Sequence, residues 1–388
     1  MNVEEILAKL VSFPVLGGMS NLSILNWIKD YIESHGIETQ LVPNEEGNKA
    51  SLHCRIGPAE EGGVILSGHM DVVPVEGQEW TTDPFVLTDK GDGKLYGRGS
   101  CDMKGFIACC LAALPDMVKA PLKKPIYFAF SYDEEIGCLA APELAQAINN
   151  NYKETPKYAL IGEPSLMEPI VGQKGIYILE TYVNGSAGHS SRIKQEVSAI
   201  HEAMRLILWL ENKMDSLIAE ERIDDRFHPP HSSIHIGMVN GGIAPNVIAD
   251  KAHFYWDLRT IPMDDMYSIV SEFEAYCKER ESELQKVFPD FAIKTIENHP
   301  PVPHLDTKAD DDIVSLIKRI SGNAKLDTVS YAAEAGQFAN EGFHSAICGP
   351  GSIAQAHRAD EFIAKEQLEK GMVMMEKLIQ ELSSKNFS

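Results

Sequence analysis

The sequence predicts an α/β protein, a mostly parallel sheet covered by helices and interrupted by a smaller α+β unit. Three observations predict it. Short apolar runs alternate with helical patterns up to Gly175, which is how a parallel sheet is written. After Gly175 the texture changes to a βαββαβ succession, the ferredoxin-like arrangement, over about 115 residues. A proline-rich stretch, Asn298-His299-Pro300-Pro301-Val302-Pro303, then marks an exit, and helix and strand alternate again beyond it. Residues 1–175 and 298–388 are therefore assigned to one domain and 176–297 to a domain inserted into it. A chain of 388 residues favours such a division.

Residues 3–10 and 23–34 carry the spacing of amphipathic helices, the second starting near Ser20 or Asn21 and stopping at Gly36. Strands follow over 51–56 and 63–67, the second built on Val64-Ile65-Leu66, a run that fits a buried strand. The polar loop 74–95 comes next, and loops of that length inside compact domains are usually functional. Residues 105–117 make a largely buried helix, and 126–131 and 158–161 make strands. In the inserted part, 176–183 alternates like a one-sided strand and 196–220 forms a long helix. Strands over 232–239 and 251–259, a charged helix over 264–285 and a strand over 291–297 complete it. A strand over 345–348 and a helix over 365–382 close the chain, which contains no repeats or low-complexity tracts.

Composition excludes several classes. The 35 basic residues against 57 acidic ones give a formal charge of −22, which opposes nucleic acid and anionic membrane surfaces as partners. A hydrophobic content of 44% is that of a globular protein. Seven cysteines without regular spacing fit reduced thiols. The start, Met1-Asn2-Val3-Glu4-Glu5, has no basic segment leading into an apolar run, and no stretch approaches the ~18 apolar residues of a membrane span. A cytoplasmic protein is expected.

Candidate chemistry gathers at strand ends. Leu66-Ser67-Gly68-His69-Met70-Asp71 delivers His69 and, two residues on, Asp71 to one face of a strand. There the Asp71 carboxylate can accept the N–H of the ring nitrogen that is not a ligand, fixing tautomer and orientation. Asp102 follows the strand end Leu95-Tyr96, Glu134 and Glu135 follow 126–131, Glu163 follows 158–161, and His357 follows the late strand. The carboxyl ends of strands in an open α/β sheet form its ligand crevice, so these segments converge. Imidazoles and carboxylates without thiolate are the donors of a two-metal hydrolytic centre, in which one carboxylate bridges. They fit zinc or cobalt with an open water position. Glu134 and Glu135 are neighbours and cannot both point at one atom. One binds metal while the other stands beside the attacking water as general base. Cys101 is the competing nucleophile, but no histidine pairs with it locally, and a buried thiol is inert. Without a Gly-x-Ser-x-Gly elbow, a serine hydrolase has little support.

Four segments together resemble the dinuclear-zinc amidohydrolases related to aminoacylase. They are Ser67-Gly68-His69-Met70-Asp71-Val72-Val73-Pro74, Gly97-Arg98-Gly99-Ser100-Cys101-Asp102-Met103-Lys104-Gly105, Asp133-Glu134-Glu135-Ile136-Gly137 and Gly188-His189-Ser190-Ser191. This metallopeptidase family includes acetylornithine deacetylase and succinyl-diaminopimelate desuccinylase, and the resemblance spans essentially the whole chain. It implies a zinc-peptidase-like catalytic domain, an inserted ferredoxin-like dimerisation domain, a homodimer, and two divalent metal ions, zinc or alternatively cobalt. Position by position, it implies that Asp102 bridges the metals, that His69 and Glu163 complete one site, and that Glu135 and His357 complete the other. Asp71 is implied to orient His69, and Glu134 to be the base. From the inserted domain, His189 is implied to reach the partner's active site and help hold the oxyanion. Arg259 and Asn246 are implied to bind the substrate carboxylate. Taken alone, Arg259 at a strand end reads equally well as a surface cation, whereas His189 lies in a loop that no core needs.

Within the family, Gly162-Glu163-Pro164, Ala333-Glu334-Ala335-Gly336 and Ile347-Cys348-Gly349-Pro350-Gly351-Ser352-Ile353-Ala354-Gln355-Ala356-His357 are most similar to the acetylornithine-cleaving members. The resemblance thus implies a small acylated amino acid as substrate. The implied reaction removes the acetyl group of N2-acetyl-L-ornithine to give acetate and L-ornithine, a step of arginine biosynthesis. Glu134 takes a proton from the attacking water and returns it to the leaving amine. Glu334 either favours the side-chain ammonium of the substrate or supports its loop by hydrogen bonding. Rival readings are another N-acyl-amino-acid hydrolase such as a succinyl-diaminopimelate desuccinylase, a dipeptidase on the same scaffold, or a binding protein without catalysis. The intact base and ligand set speak against the last.

Overall fold

A computed structural model describes residues 1–384. The chain divides into two compact units. One comprises Met1–Gly172, Leu305–Thr328 and the chain from Ala333 on; the other comprises Gln173–His304 and Val329–Ala332. The second unit therefore takes in the stretch 298–303, read above as an exit linker, together with His304 and a tetrapeptide from further downstream. Main-chain pairing accounts for both. Ile176 and Val302 exchange two N–H···O bonds of 2.9 Å, and the Lys174 N–H donates to the Val329 carbonyl at 3.2 Å.

In the first unit, nine strands among the described residues form one sheet. Its middle is four parallel strands in the spatial order Ile126–Ser131, Val64–His69, Tyr158–Pro164, His344–Gly349. Ala50–Ile56 flanks them antiparallel, with Thr39–Pro43 outside it. On the other side Ile170–Gln173 pairs antiparallel with His344–Gly349, and Leu305–Asp306 lies beyond. The sheet is thus parallel at its centre and mixed at its flanks. Strands buried on both faces are apolar throughout and carry no local mark of direction.

Alternate residues of the middle strands enter opposite layers. Val64, Leu66, Phe128, Phe130 and Leu160 join the core built with helices Val3–Val11, Leu22–Glu33, Lys104–Lys119, Asp312–Ser321 and Lys365–Ser383. On the opposite parity, Ser67 meets Glu334, which precedes helix Ala335–Asn340. Lys104–Lys119 packs between Val3–Val11 and Lys365–Ser383 and is buried on most faces, which explains its apolar sequence. Each large apolar side chain so enclosed contributes about 1.5–3 kcal/mol. Gly162 lets its strand approach this helix, because a Cβ there would lie 2.0 Å from Phe106 Cγ. Since the four middle strands run the same way, they end along one edge, where His69 and Ser131 are register partners. Within the expected loop 74–95, strands Thr88–Asp89 and Lys94–Tyr96 form, and the latter pairs with Phe362–Ala364.

The second unit follows the βαββαβ order. Its antiparallel sheet runs Ser233–Gly241, Lys251–Thr260, Gly175–Asn184, Ala292–Glu297, the ferredoxin-like arrangement. Val183, Phe254 and Trp256 pack with Leu206 and Leu210 of helix Ala199–Ala219 and Phe273 of helix Met266–Leu284. Ser198 and Asp265 cap these helices by accepting from the His201 and Tyr267 N–H groups. No helix among the described residues is long and apolar enough to cross a membrane.

Candidate active site

Parallel strands set the site out along one edge of the first unit's sheet. His69 ends its strand, Glu163 is the last residue but one of the next, and Glu134 and Glu135 lie just past Ser131. Asp102 stands before helix Lys104–Lys119, and His357 follows the short helix Ile353–Gln355 beyond Gly349. The His69 Nε2 atom is 3.1 Å from Asp102 Oδ1, 3.7 Å from Glu163 Oε1 and 4.0 Å from Glu134 Oε2. The His357 Nε2 atom is 2.9 Å from Glu135 Oε2 and 3.4 Å from Asp102 Oδ2. Asp102 thus turns one oxygen towards each imidazole. His69, Asp102 and Glu135 hold their donor atoms within 4.8 Å of one another.

The cluster is enclosed and acidic. His69, Asp102 and Glu163 are buried, whereas the His357 side chain is 54% exposed. Burial pushes the Glu134 and Glu163 carboxyls well above the usual range, and neighbouring carboxylates add to the shift against the pull of His69. For Asp102, burial acts upward too, but hydrogen bonds from His357 and His69 hold its carboxyl below the usual range. Those to Asp102 and Glu135 lift His357 to about 10. Such a concentration of buried carboxylates calls for positive charge. Glu163 Oε1 is buried without a hydrogen-bond partner. An orphaned carboxylate oxygen among hard oxygen and imidazole donors, with no thiolate, fits a pair of divalent cations.

Asp71 differs from expectation in detail. Its main-chain carbonyl, at 2.9 Å, is nearest to His69 Nδ1, whereas its carboxylate is 3.7 Å away. The strand stops at His69, so the alternation that would keep the two side chains together stops there as well. The Asp71 carboxylate instead accepts the N–H groups of Glu134 and Glu135 at 3.2 Å each, fixing the acidic turn. Asp133 steadies the same turn, accepting the Gly18 N–H at 2.8 Å and pairing with Lys49. Glu334 is 1% exposed; one oxygen accepts the Ser67 hydroxyl at 3.3 Å, and the Ser131 hydroxyl also bonds to this carboxylate. Cys101 is buried, donates to the Ser352 carbonyl, and has its thiol pushed well up by burial, which favours an inert thiol.

One residue of consequence escapes the sequence. Glu361 is buried, ion-paired with Arg98, and accepts the N–H of Asp102. Its only sequence signal is position, directly before the apolar strand Phe362–Ala364. In the second unit, Gly188–His189 pairs with Val247–Ile248 and the Ser190 N–H donates to the Asn246 carbonyl at 3.0 Å, so His189 and Asn246 are neighbours. His189 is exposed, with Nδ1 2.8 Å from the Ser191 hydroxyl. Arg259 is engaged with the Asp257 carboxylate and the Ser330 carbonyl, each at 3.0 Å.

The sequence profile of "Peptidase family M20/M25/M40" matches residues 65–381. Acetylornithine deacetylase of Pectobacterium atrosepticum is 34% identical, with 89% of this chain and 86% of that protein covered. The Proteus mirabilis protein of the same name is 33% identical, with 97% and 95% covered. Among solved structures, the M20 family metallo-carboxypeptidase Sso-CP2 of Sulfolobus solfataricus superposes with a TM-score of 0.77 at 17% identity, covering 99% of both chains. A dinuclear metal-binding M20 peptidase of Bacillus subtilis gives 0.63 at 16% identity, covering 98% of this chain and 97% of that one. The likeness to these structures is one of fold.

Proposed function

From the premise that the chain belongs to peptidase family M20/M25/M40 and is a metal-dependent hydrolase, we propose that it cleaves the acetyl amide of N2-acetyl-L-ornithine. The products are acetate and L-ornithine, which would feed arginine biosynthesis. The observation that carries the chemistry is Asp102, with one oxygen towards His69 and the other towards His357. The observation that carries the substrate is the 33–34% identity to proteins named acetylornithine deacetylase over most of the chain.

In this reading, two divalent ions would be held by His69 and Glu163 on one side of Asp102 and by Glu135 and His357 on the other. Zinc is the first choice from the donor set and cobalt the second. When bound, such ions would supply Lewis acidity to the acyl oxygen and would acidify a water. Glu134 would accept a proton from the attacking water and deliver it to the leaving amine. Its Oε1 is held by the Cys138 thiol at 3.3 Å, which leaves Oε2 for the exchange. Asp71 holds the turn that presents Glu134. His189 adds a donor to the oxyanion from the partner subunit, and Asn246 and Arg259 take the substrate carboxylate. A homodimer is supported by the edge strand Ser233–Gly241, which exposes Met238 and Val239. A cytoplasmic setting agrees with seven free cysteines.

The test is turnover by the zinc- and cobalt-loaded protein on N2-acetylornithine, N-acetylmethionine, N-succinyl-diaminopimelate and a dipeptide. A clear preference in kcat/KM for N2-acetylornithine is expected. Preference for the succinylated substrate or the dipeptide would replace this reading with one of its rivals.

A further inference from the structure

We propose that Glu361, together with Arg98, is a positioning residue for the metal centre, one that sets Asp102 in place and couples it to His357; this rests on the two-metal reading above. Strand Phe362–Ala364 runs antiparallel to Lys94–Tyr96 with Phe362 opposite Tyr96. The Gly97 N–H donates to the Glu361 carbonyl at 2.9 Å. This pairing brings Glu361 against the loop that carries Asp102. The Glu361 and Arg98 side chains are each 1% exposed. Glu361 Oε1 accepts the N–H groups of Cys101 and Asp102 at 2.9 and 3.1 Å, and Oε2 accepts Arg98 Nη1 at 2.7 Å. The other terminal nitrogen of Arg98 donates to Gln78 Oε1 at 2.5 Å, and Gln78 Nε2 donates to the His357 carbonyl at 2.9 Å. One polar chain thus runs from the Asp102 main chain through Glu361, Arg98 and Gln78 to the His357 main chain. Asp360 ties the same segments a second time, accepting the Thr81 N–H and hydroxyl at 2.9 and 2.8 Å.

Both oxygens of Glu361 are given to groups of the protein itself, so it is no metal ligand. A buried ion pair is a costly way to fill space, since apolar packing avoids the desolvation. What the pair adds is direction, because a carboxylate taking two N–H groups while held by a guanidinium fixes a main chain closely. The segment it fixes carries the one carboxylate that must serve two sides at once. For Asp102 to present one oxygen to each side, its Cα–Cβ bond must keep a single orientation, and that orientation is set by the main chain Glu361 grips.

Removing an outer partner of a metal ligand weakens metal binding by about 10–100-fold. Glu361→Gln keeps an acceptor for the two N–H groups but sets an amide against Arg98. We expect it to fold and to bind zinc at least about tenfold more weakly in competition with a chromophoric chelator. Its cobalt-substituted form should show an altered visible spectrum, and excess zinc should restore much of kcat. Glu154→Gln is the control for loss of a buried carboxylate. Glu154 pairs with Arg55, opposite Tyr127 near the start of its strand and so at the far end of the sheet from the site. This control should lower Tm while keeping the parent's zinc affinity and cobalt spectrum. Unchanged affinity and spectrum in Glu361→Gln overturn the proposal, as does an equal loss of zinc affinity in Glu154→Gln. If Glu361→Gln fails to fold, Arg98→Lys, which keeps the charge and loses the fork, carries the test: weakened zinc binding supports the proposal and unchanged binding overturns it. A parent protein that takes up neither zinc nor cobalt overturns the two-metal reading instead.

Discussion

Adjacent glutamates in one turn have unlike surroundings, and the roles proposed for them differ accordingly. Glu135 sits 2.9 Å from His357, whereas Glu134 has Cys138 on one oxygen and His69 4.0 Å from the other. Glu134→Gln should therefore keep both metal ions and lose about 10²–10⁴-fold in kcat, the usual contribution of a positioned base. Glu135→Ala should retain the base and lose metal at the His357 side. Elemental analysis of the two purified variants checks this, and an equal fall in metal content would show that the roles are wrongly divided. Local reading could place these residues because each follows an apolar run. It could not place Glu361. Nothing in Asp360-Glu361 itself marks a site, and what buries Glu361 is Arg98, which a local window never sees beside it.

Single elements were legible wherever burial is one-sided. Lys251–Thr260 alternates buried and part-exposed residues along its length and announces itself as a strand. Ile126–Ser131 is buried throughout, as a strand of a parallel sheet is, but nothing in it marks that its neighbour Ala50–Ile56 runs antiparallel. Two-sided burial also has a consequence for pH. His53, on the flanking strand Ala50–Ile56, is 2% exposed with Nδ1 2.9 Å from the Tyr152 hydroxyl, and burial lowers its pKa from 6.5 to about 4. Between those values the unfolded chain binds the extra proton, so stability falls as pH drops through the window and is fully present above it. We expect His53→Gln to remove up to about 3 kcal/mol of that loss between pH 7 and 4. Urea midpoints measured against pH check it, and an undiminished slope would assign the acid sensitivity to other groups.

At the scale of the molecule, the proposed sharing of active sites makes a prediction of its own. His189→Ala and Glu134→Ala proteins should each be inactive as homodimers and recover activity when their subunits are mixed. In the heterodimer one site carries both defects and the other neither. Absence of recovery, with subunit exchange demonstrated by mass, would confine His189 to its own unit. The paired ends of the inserted unit reach further, into the order of folding. Strands Tyr158–Pro164 and His344–Gly349 lie side by side in register, yet roughly 180 residues of chain separate them. Joining such distant segments is slow for a disordered loop, and slow sheet closure leaves edges exposed to aggregation. The two hydrogen bonds between Ile176 and Val302 change that problem. Once the insertion has folded on its own core, its entrance and exit are held together, and the loop still to be closed shrinks to roughly 50 residues. That is worth about 1 kcal/mol of chain entropy. The insertion thus acts as an internal staple for the sheet around it.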